Sequence, residues 1–555
     1  DGAGNTQANT VPGNGTANGA SNGANNGNGN GNGHHGEGAH GGQAVDLAIA
    51  ETVPLTLFGE SDMGNGVPAS ATVEAQDKAT SAGNYNDFEY ELINDPSRLA
   101  QVAEMLAHET VLGVDTETTG LDPHISELLL LQVSTADKVY IVDCRRLVPL
   151  ALKPVLENPN VLKIAQNAKF EYEMLKQQCG ITLTNMYDTM LAERICTAGL
   201  GREISLKQIA ARYVGAVLDK SVREAFYKLA HNGDAYLADE QLHYAARDAF
   251  IMIPIWRLQK QELKKHKLED VADLEFRCIA AVCDLELAGV QIDTVKWRKI
   301  IEDVALHRER TAVELSEMLQ PATMQATMFG IPSINLNSST QLMEVFSKLG
   351  VDLPDTREAT LSKFNHPAVA KLLEYRSHEK TLSAFGENVL GLINPKTGRI
   401  HPDFNQHGAD TGRFSCTRPN VQQIPATSDF RKCFVASEGY KLITCDYSQA
   451  ELRILAELSG DPGFVGAFQS GDDLHSLTAS QMFGVPLAQV QKSQRSAAKA
   501  INFGLAYGMG PGGLAPRLGV TLDEAKDLIS RYFKAYPGVQ QWLEKAGRDA
   551  VRNGY

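Results

Sequence analysis

Four side chains suited to ligand binding recur at four-residue intervals near the C-terminal end of the sequence. They are Arg495, Lys499, Phe503 and Tyr507. In a helix, residues at i and i+4 lie one turn apart, so these side chains would share one face, with two cations first and two aromatic rings further along. A nucleoside triphosphate has the same layout, with charged phosphates at one end and a flat sugar and base at the other. The spacing therefore predicts a nucleotide-binding helix, and the alternative is an amphipathic core helix.

A second candidate is Asp446, which ends a short apolar run that begins at residue 442. The run predicts a buried strand with the carboxylate at its end, and the segment that starts at Glu451 predicts a helix. An acid at such a junction can bind Mg²⁺, which takes few carboxylates and prefers phosphate oxygens as its other ligands. Taken alone, Asp446 would more often be a helix N-cap.

Four acids and a tyrosine form another group much earlier in the chain. Asp115 and Glu117 are two residues apart in a predicted strand, so their side chains point to one face. Glu171 follows later, and Tyr244 and Asp248 are one helical turn apart. The four carboxylates could bind a pair of Mg²⁺ or Mn²⁺ ions, which activate water for an in-line phosphoryl displacement. Tyr244 would orient that water. Each residue taken singly could also be a surface acid of an ordinary α/β domain.

The elements that must position these residues follow from the periodicity. Strands are predicted from residue 111, at 128–134 and at 139–142, as in a β-meander, and they alternate with helices. Residues 268–399 are helix-rich, and residues 335–342 predict a capped helix start. The tripeptide at 471–473 is Gly-Asp-Asp, but it opens a predicted helix, so helix capping is the predicted role.

Composition limits the class of protein. A chain of 555 residues predicts two to four domains, and no apolar run approaches the length that spans a bilayer. The net charge of −15 argues against a uniformly basic surface, although a basic cleft could still bind nucleic acid. The eight cysteines form no metal-binding or paired pattern, which fits a reducing compartment. Residues 1–82 begin with a Gly/Asn repeat that cannot bury enough apolar surface to fold.

The motifs resemble those of a known family in type and in order. Residues 442–453 and 495–508 resemble motifs A and B of the family A, polymerase-I-like DNA polymerases. The early acids resemble the tyrosine-bearing branch of the DEDD 3′–5′ exonucleases. Shorter segments at 411–413, 419–425 and 473–475 resemble further parts of the polymerase family.

The resemblance implies an α/β and α+β multidomain fold. A disordered tail (1–85) would precede a ribonuclease-H-like exonuclease domain (86–265) and an incomplete right-hand polymerase domain (266–555). Within the polymerase part, the thumb would occupy about 266–400, the palm about 401–460 and the fingers about 461–555.

The resemblance also implies roles for individual residues. Two Mg²⁺ or Mn²⁺ ions would bind at each active site, and Glu451 would be the steric gate that excludes a ribose 2′-hydroxyl. The catalytic residues would be Asp115, Glu117, Glu171, Tyr244, Asp248 and Asp446, and all of these except Tyr244 would bind metal. The nucleotide-binding residues would be Tyr447, Gln449, Glu451, His475, Arg495, Lys499, Phe503 and Tyr507. The DNA-binding residues would be Arg376, Lys380, Arg413, Asn420 and Gln422.

Two departures from the family pattern qualify these expectations. Glu171 stands where the exonucleases normally have Asp, which moves the carboxylate by more than about 1 Å. The His-Asp-Glu motif that supplies the second palm aspartate is not found in the sequence. The chain alone is therefore expected not to polymerise at a useful rate, and either a truncated sequence or a second polypeptide that completes the palm would explain this.

The expected partners are primer–template DNA and deoxynucleoside triphosphates, with the chain as a monomer in the cytoplasm, at a bacterial nucleoid or in a phage-infected cell. Two alternatives remain. A ribonuclease-D-like exonuclease would explain the early acids alone, and a non-catalytic DNA-binding clamp would explain the binding surfaces alone.

Overall fold

The computed structural model describes residues 85, 87–198, 200–218, 236–323, 334–425 and 428–553. All of the described residues fall within one compact unit. The predicted disordered tail at 1–85 lies outside the described residues, apart from Tyr85. The boundary predicted between residues 265 and 266 stays a prediction.

A six-stranded mixed sheet forms the centre of the first part of the chain. Its spatial order is β1-β4-β3-β2-β5-β6, with antiparallel pairing of β2 to β3 and of β3 to β4, and parallel pairing elsewhere. The predicted meander is confirmed, because it corresponds to β2, β3 and β4. The strands are β1 Glu89–Ile93, β2 Val111–Thr118, β3 Leu128–Ser134, β4 Lys138–Asp143, β5 Leu162–Ala165 and β6 Met186–Asp188.

Helices cover this sheet, and apolar clusters on both of its faces bury it. Every residue of β3 is buried, as expected for a strand packed on both sides. The helices of this part are α1 Pro96–Leu106, α2 Lys153–Leu156, α3 Ala168–Cys179, α4 Thr189–Cys196, α5 Leu206–Val214 and α6 Asp239–His266. The longest, α6, packs across β2, β3 and β4.

The second part of the chain is mainly helical, as the pattern predicts. Ser338 accepts a hydrogen bond from the Gln341 amide and so caps α9, which confirms the predicted helix start. The first helices are α7 Glu269–Ala288, α8 Thr294–Thr323, α9 Ser339–Lys348, α10 Glu358–Leu361, α11 Pro367–Phe385 and α12 Glu387–Leu390. Two short antiparallel pairs accompany them, β7 Gln291–Ile292 with β10 Phe434–Val435, and β8 Asp403–Asn405 with β9 Ser415–Thr417.

Seven helices follow within residues 450–553, around a separate apolar cluster. They are α13 Ala450–Ser459, α14 Pro462–Ser470, α15 Leu474–Phe483, α16 Lys492–Ala506, α17 Pro511–Leu518, α18 Leu522–Ala535 and α19 Pro537–Asn553. Asp473 accepts a hydrogen bond from the Ser476 amide, so the predicted capping role of the Gly-Asp-Asp tripeptide is confirmed. The predicted helix that starts near Glu451 is confirmed as α13.

The buried strand predicted before Asp446 is wrong for this structure. Residues 441–447 have no regular secondary structure, and the side chains of Leu442 and Ile443 are 56% and 84% exposed. A strand needs neighbouring strands to pair its backbone groups, and none of the described strands pairs with this segment. The apolar residues of this segment are therefore not sufficient to make it a strand.

Within the parts of the chain that the structure describes, no helix is long and apolar enough to cross a membrane.

Candidate active sites

The first site is built on β2 and the helix that crosses it. Asp115 and Glu117 project from β2 on the same face as Gly113. A Cβ atom on Gly113 would lie 2.4 Å from the Ala249 carbonyl oxygen of α6, so only glycine permits this approach of the helix to the strand. The close approach brings the last turns before residue 249 over the two acids.

Tyr244 and Asp248 lie on α6 and interact with each other. Tyr244 is only 5% exposed, and a hydrogen bond joins its side chain to that of Asp248. Burial raises the pKa of the Tyr244 hydroxyl strongly, and the neighbouring carboxylates raise it further. Those carboxylates are Asp248, Glu117 and Asp115, in decreasing order of effect. The structure therefore brings four of the five predicted residues into one electrostatic environment.

Glu171, the fifth, lies on α3 and is 2% exposed. Its Oε1 accepts a hydrogen bond from Thr116 Oγ1 at 3.5 Å, whereas its buried Oε2 has no hydrogen-bond partner. Burial raises the pKa of Glu171 well above its usual value, and the charge of Asp115 raises it further. The extra methylene of Glu171 thus does not remove it from the group.

Asp188 positions α3 and is a residue that the sequence interpretation missed. Its Oδ1 accepts from the amides of Asn167 and Met190 at 3.0 and 2.8 Å, and its Oδ2 accepts from the Ala168 amide at 2.9 Å. One carboxylate therefore caps α4 and also fixes the turn into α3, where Asn167 has a φ of 65°. An Asp between a short strand and a helix was the available sequence signal.

The donor chemistry of this site fits a divalent metal. Four carboxylates supply the oxygen ligands that Mg²⁺ prefers, and one of their buried oxygens, Glu171 Oε2, lacks a partner. Among the residues described, no group of three or more possible ligands is close enough together to hold an ion. The metal therefore remains a proposal based on the type of residue.

The second site lies on α16, which carries the predicted face of cations and rings. Arg495, Lys499 and Phe503 are on the helix, and Tyr507 is its C-cap residue. Arg495 donates from Nε and Nη2 to both carboxylate oxygens of Asp473, at 2.7 and 3.0 Å. Lys499 is exposed and has no ion-pair partner among the described residues. The predicted helix is therefore confirmed, with one cation paired and one open to solvent.

His475 is buried beside these cations rather than exposed to solvent. Its Nδ1 lies 3.0 Å from Asn502 Nδ2, which can only donate, so Nδ1 accepts and the neutral ring carries its proton on Nε2. Burial is the main reason that the pKa of His475 is lowered to about 4; Asp473 opposes the shift, and the charges of Arg495 and Lys499 add to it. His475 is therefore a neutral hydrogen-bond donor at neutral pH.

Asn502 is another residue that the sequence interpretation missed. It also shares hydrogen bonds with Thr478, whose hydroxyl lies 3.0 Å from the Tyr536 hydroxyl. This buried chain of polar groups ties α15 and α16 to Tyr536, the C-cap residue of α18, behind His475. The available sequence signal was an Asn between two apolar residues, Ile501 and Phe503, in the predicted helix.

Arg413 connects three segments that are far apart in sequence. Its Nη2 donates to the Glu451 carboxylate and, at 2.5 Å, to the Tyr507 hydroxyl, and its guanidinium lies 5.3 Å from the centre of the Tyr507 ring. Burial, followed by the Glu451 carboxylate, raises the pKa of Tyr507 to about 12. Glu451 and Tyr507 are therefore held side by side by one cation.

Asp446 lies in the exposed segment described above. Tyr447 is 87% exposed, and Gln449 adopts a left-handed conformation with a φ of 55° immediately before α13. A left-handed non-glycine residue is uncommon and carries strain. It reverses the chain between Asp446 and Glu451.

The predicted DNA-binding residues have separate environments. Arg376, on α11, donates from Nη2 to Thr356 Oγ1 at 3.1 Å and also bonds the Thr356 carbonyl oxygen. Lys380 lies one turn further along the same helix. The Asn420 side chain accepts from the Gln422 backbone amide at 3.2 Å, and the Gln422 side chain is exposed.

Two family models match this chain. A family model described as "3'-5' exonuclease" matches residues 90–264, which contain the whole first site. A family model described as "DNA polymerase family A" matches residues 306–555, which contain the whole second site. The chain belongs to the family A DNA polymerases.

Two curated DNA polymerases align with most of this chain. DNA polymerase I of Chloroflexus aurantiacus is 33% identical over 503 residues, which cover 84% of this chain and 51% of that protein. DNA polymerase I of Pseudomonas aeruginosa is 32% identical over 511 residues, which cover 84% of this chain and 54% of that protein. The chain thus spans about half the length of the curated relatives that it matches.

A solved family A structure resembles the fold. It is the POL domain of Pol1 from M. smegmatis in complex with DNA primer-template and dNTP. The TM-score is 0.70 at 28% identity, with 84% of this chain and 79% of that chain covered. The α/β exonuclease part and the helical polymerase part of this chain therefore form a fold already seen in a polymerase.

Proposed function

We propose that this chain is the proofreading and nucleotide-binding part of a DNA-directed DNA polymerase. Its first site would hydrolyse the 3′ end of a primer, and its second site would bind an incoming deoxynucleoside triphosphate against a primer–template end. The observation that carries the proposal is the grouping of four carboxylates around one buried phenol. The charge of Asp115 raises the pKa of Glu171, and the charges of Asp248, Glu117 and Asp115 raise the pKa of the Tyr244 hydroxyl.

At the first site, each residue has a part that its environment supports. Tyr244 stays protonated at any physiological pH, and while its proton is donated to Asp248 its oxygen would orient an attacking water by accepting a hydrogen bond from it. Asp115, Glu117, Glu171 and Asp248 would hold two divalent ions. When bound, those ions would activate the water and stabilise the phosphate oxygens of an in-line displacement. Glu171 must lose its proton to bind metal, which a neighbouring cation would favour.

At the second site, Arg495 and Lys499 would bind the triphosphate, with His475 donating from Nε2. Phe503 would pack on the sugar, because its ring lies 5.8 Å from that of His475 on the same side of α16. Glu451 and Tyr507 would line the sugar and base pocket. The remaining nucleotide contacts would come from Tyr447 and Gln449.

Primer–template DNA would contact the thumb and palm. Donors at Arg413, Asn420 and Gln422 would test the minor-groove edge, where acceptors are common to all correct base pairs. Arg376 and Lys380 would face the phosphate backbone, although the hydrogen bonds of Arg376 to Thr356 favour a role in holding the thumb together. Asp446 would bind one metal ion, and a second acid outside the residues described here, or from another polypeptide, would complete the palm.

A labelled primer–template, with Mg²⁺ and with or without deoxynucleotides, tests the proposal. Shortening of the primer that is lost in Asp115→Ala is the expected result for the first site. Digestion at the same rate by Asp115→Ala would contradict the site. Weaker triphosphate binding by Lys499→Ala on primer–template is the expected result for the second.

The same assay separates the alternatives. Faster digestion of single-stranded RNA than of DNA would favour a ribonuclease-D-like enzyme. Retardation of the duplex in a gel, with neither shortening nor triphosphate binding, would favour a DNA clamp. Primer extension that Asp446→Asn abolishes would establish a complete palm.

A further inference from the structure

The helix that carries Glu171 has a second face with partners of its own. Glu171 lies with the buried Ala168 and Leu175 on the side of α3 that meets the sheet. The residues on another side, at helical spacing, are Lys169, Tyr172, Glu173 and Lys176. This second face meets the C-terminal end of α7 and the strand β8.

Lys169 makes the densest set of contacts on that face. Its Nζ lies 2.8 Å from Glu286 Oε1, 2.5 Å from Asp403 Oδ1 and 3.0 Å from the Phe404 carbonyl oxygen. The side chains of Lys169 and Glu286 are only 15% and 9% exposed, so solvent screens this ion pair much less than a surface pair. Removal of the cation would leave two carboxylates facing each other in a largely buried space.

Glu173 is a third acid at this face of α3, next to Glu286. It is 7% exposed, and burial, followed by the charge of Glu286, raises its pKa to about 9. No other Lys or Arg among the described residues forms an ion pair with Glu286.

The partner acid Asp403 belongs to the other half of the protein. It lies on β8, inside the segment that matches the polymerase family model, whereas Lys169 lies inside the segment that matches the exonuclease model. Asp403 Oδ2 also accepts from Arg418 Nη2 at 3.0 Å, and Arg418 follows the strand β9 that pairs with β8. The cluster thus links α3 to the palm segment near Arg413.

We propose that Lys169 is a positioning residue of the exonuclease site, which through its ion pairs with Glu286 and Asp403 fixes α3, and with it the Glu171 carboxylate, against the polymerase part of the chain. The inference rests on the proposed exonuclease function. Lys169 itself touches no reacting atom. It acts because Glu171 is two residues away on the same rigid helix, where an error of about 1 Å can cost on the order of 100-fold in rate.

Steady-state excision from single-stranded DNA by Lys169→Met tests this role. The expected result is a kcat lower by roughly 10- to 100-fold with KM changed by less than about twofold, because the substrate contacts are kept while the acid is misplaced. Lys169→Arg, which retains the charge, should recover most of the loss. Asp403→Asn keeps the shape of a side chain in the polymerase part and should lower kcat in the same direction.

Lys176→Met is the matched control. Lys176 is on the same face of α3, but its pair with Asp284 is exposed, so its loss should leave kcat near the parent value. The rate of amide hydrogen exchange in residues 168–179 is a second readout. This rate should rise in Lys169→Met and not in Lys176→Met.

The outcomes separate this inference from the function on which it rests. If the parent digests DNA and Asp115→Ala does not, unchanged kcat in both Lys169→Met and Asp403→Asn overturns the positioning role. An equal loss of kcat in Lys176→Met also overturns it, because the effect would then not be specific to the ion pairs of Lys169. If the parent does not digest DNA, or Asp115→Ala digests it equally well, the exonuclease proposal fails and takes this inference with it.

Discussion

Arg495 and Asp473 form a bidentate ion pair at the start of α15, with N–O distances of 2.7 and 3.0 Å. Burial opposes ionisation of Asp473, but the hydrogen bonds from Arg495 and Ser476 outweigh it and lower the pKa of Asp473 to about 2. The carboxylate is therefore charged under all ordinary conditions. It orients the guanidinium and at the same time cancels part of the charge that a triphosphate would meet.

Asp473→Asn is expected to tighten triphosphate binding by about fivefold, because it removes the negative charge that pairs with Arg495, one of the two cations proposed to bind the phosphates. Asn is also a good N-cap, so α15 should keep its start. Asp523→Asn is the control, since Asp523 pairs with Lys526 on an exposed surface. Fluorescence titration of a labelled triphosphate measures both dissociation constants. Weaker binding by Asp473→Asn would mean that orientation of Arg495 matters more than its net charge.

Arg413→Met is expected to relax discrimination against ribonucleotides. As the proposed steric gate, Glu451 would exclude a 2′-hydroxyl only while its carboxylate is held in place, and Arg413 holds it next to Tyr507. The ratio of dissociation constants for ribo- and deoxynucleoside triphosphates should fall in Arg413→Met and fall further in Glu451→Ala. Arg548→Met, at an exposed pair with Glu544, is the control. A ratio that falls in Glu451→Ala but not in Arg413→Met would show that the gate does not need its cation.

Glu171→Asp is expected to excise primer ends as fast as the parent or faster. The family normally has Asp at this position, and the shorter side chain would relieve part of the burial that raises the pKa of Glu171. The excision rate is measured by single-turnover digestion at saturating Mg²⁺. A rate more than about tenfold below that of the parent would show that α3 lies farther from the other acids of the site, at a distance that only the longer Glu side chain spans.

Gly113→Ala is expected to impair the same site by a different route. Its Cβ would meet the Ala249 carbonyl oxygen at 2.4 Å, so α6 must move away from β2 by about 1 Å and take Tyr244 and Asp248 with it. Excision should slow by roughly 10- to 100-fold, and the thermal midpoint should fall. Gly466→Ala is the control, because a Cβ there meets nothing within 4 Å and alanine favours helix. Full excision activity in Gly113→Ala would contradict the packing argument.

His475 should make stability depend on pH below neutrality. Its pKa is lowered from an ordinary value of about 6.5 to about 4, so the unfolded chain binds more protons than the folded protein between these values. The stabilisation is present above pH 6.5 and is lost as the pH falls toward 4. Between pH 7 and pH 5 the group should cost about 2 kcal/mol of the unfolding free energy.

Urea titrations of the parent and of His475→Gln at both pH values test this, because the variant lacks the titrating ring. The loss of unfolding free energy on acidification should be smaller in the variant. An equal loss in both proteins would place the titration on other groups.

The spacing of residues along the sequence predicted helices and strands correctly where their formation follows from residues close together in the chain. The four-residue spacing from Arg495 to Tyr507 predicted α16, and the alternation around Asp115 predicted β2. The same reasoning failed at residues 442–446, because an apolar run indicates a strand only if other strands are available to pair with it. Sequence periodicity carries no information on that availability.

The sequence by itself determined which residues are candidates for the chemistry, since residue type and spacing set which side chains can bind metal or phosphate and which share a face. Only the tertiary structure decided how those residues are held. The contacts of Asp188 with α3, of Asn502 with His475, of Arg413 with Glu451, and of Lys169 with Asp403 join residues separated by 20 to 234 positions. Such pairings leave no periodic trace along the chain, because they depend on packing between elements rather than within them.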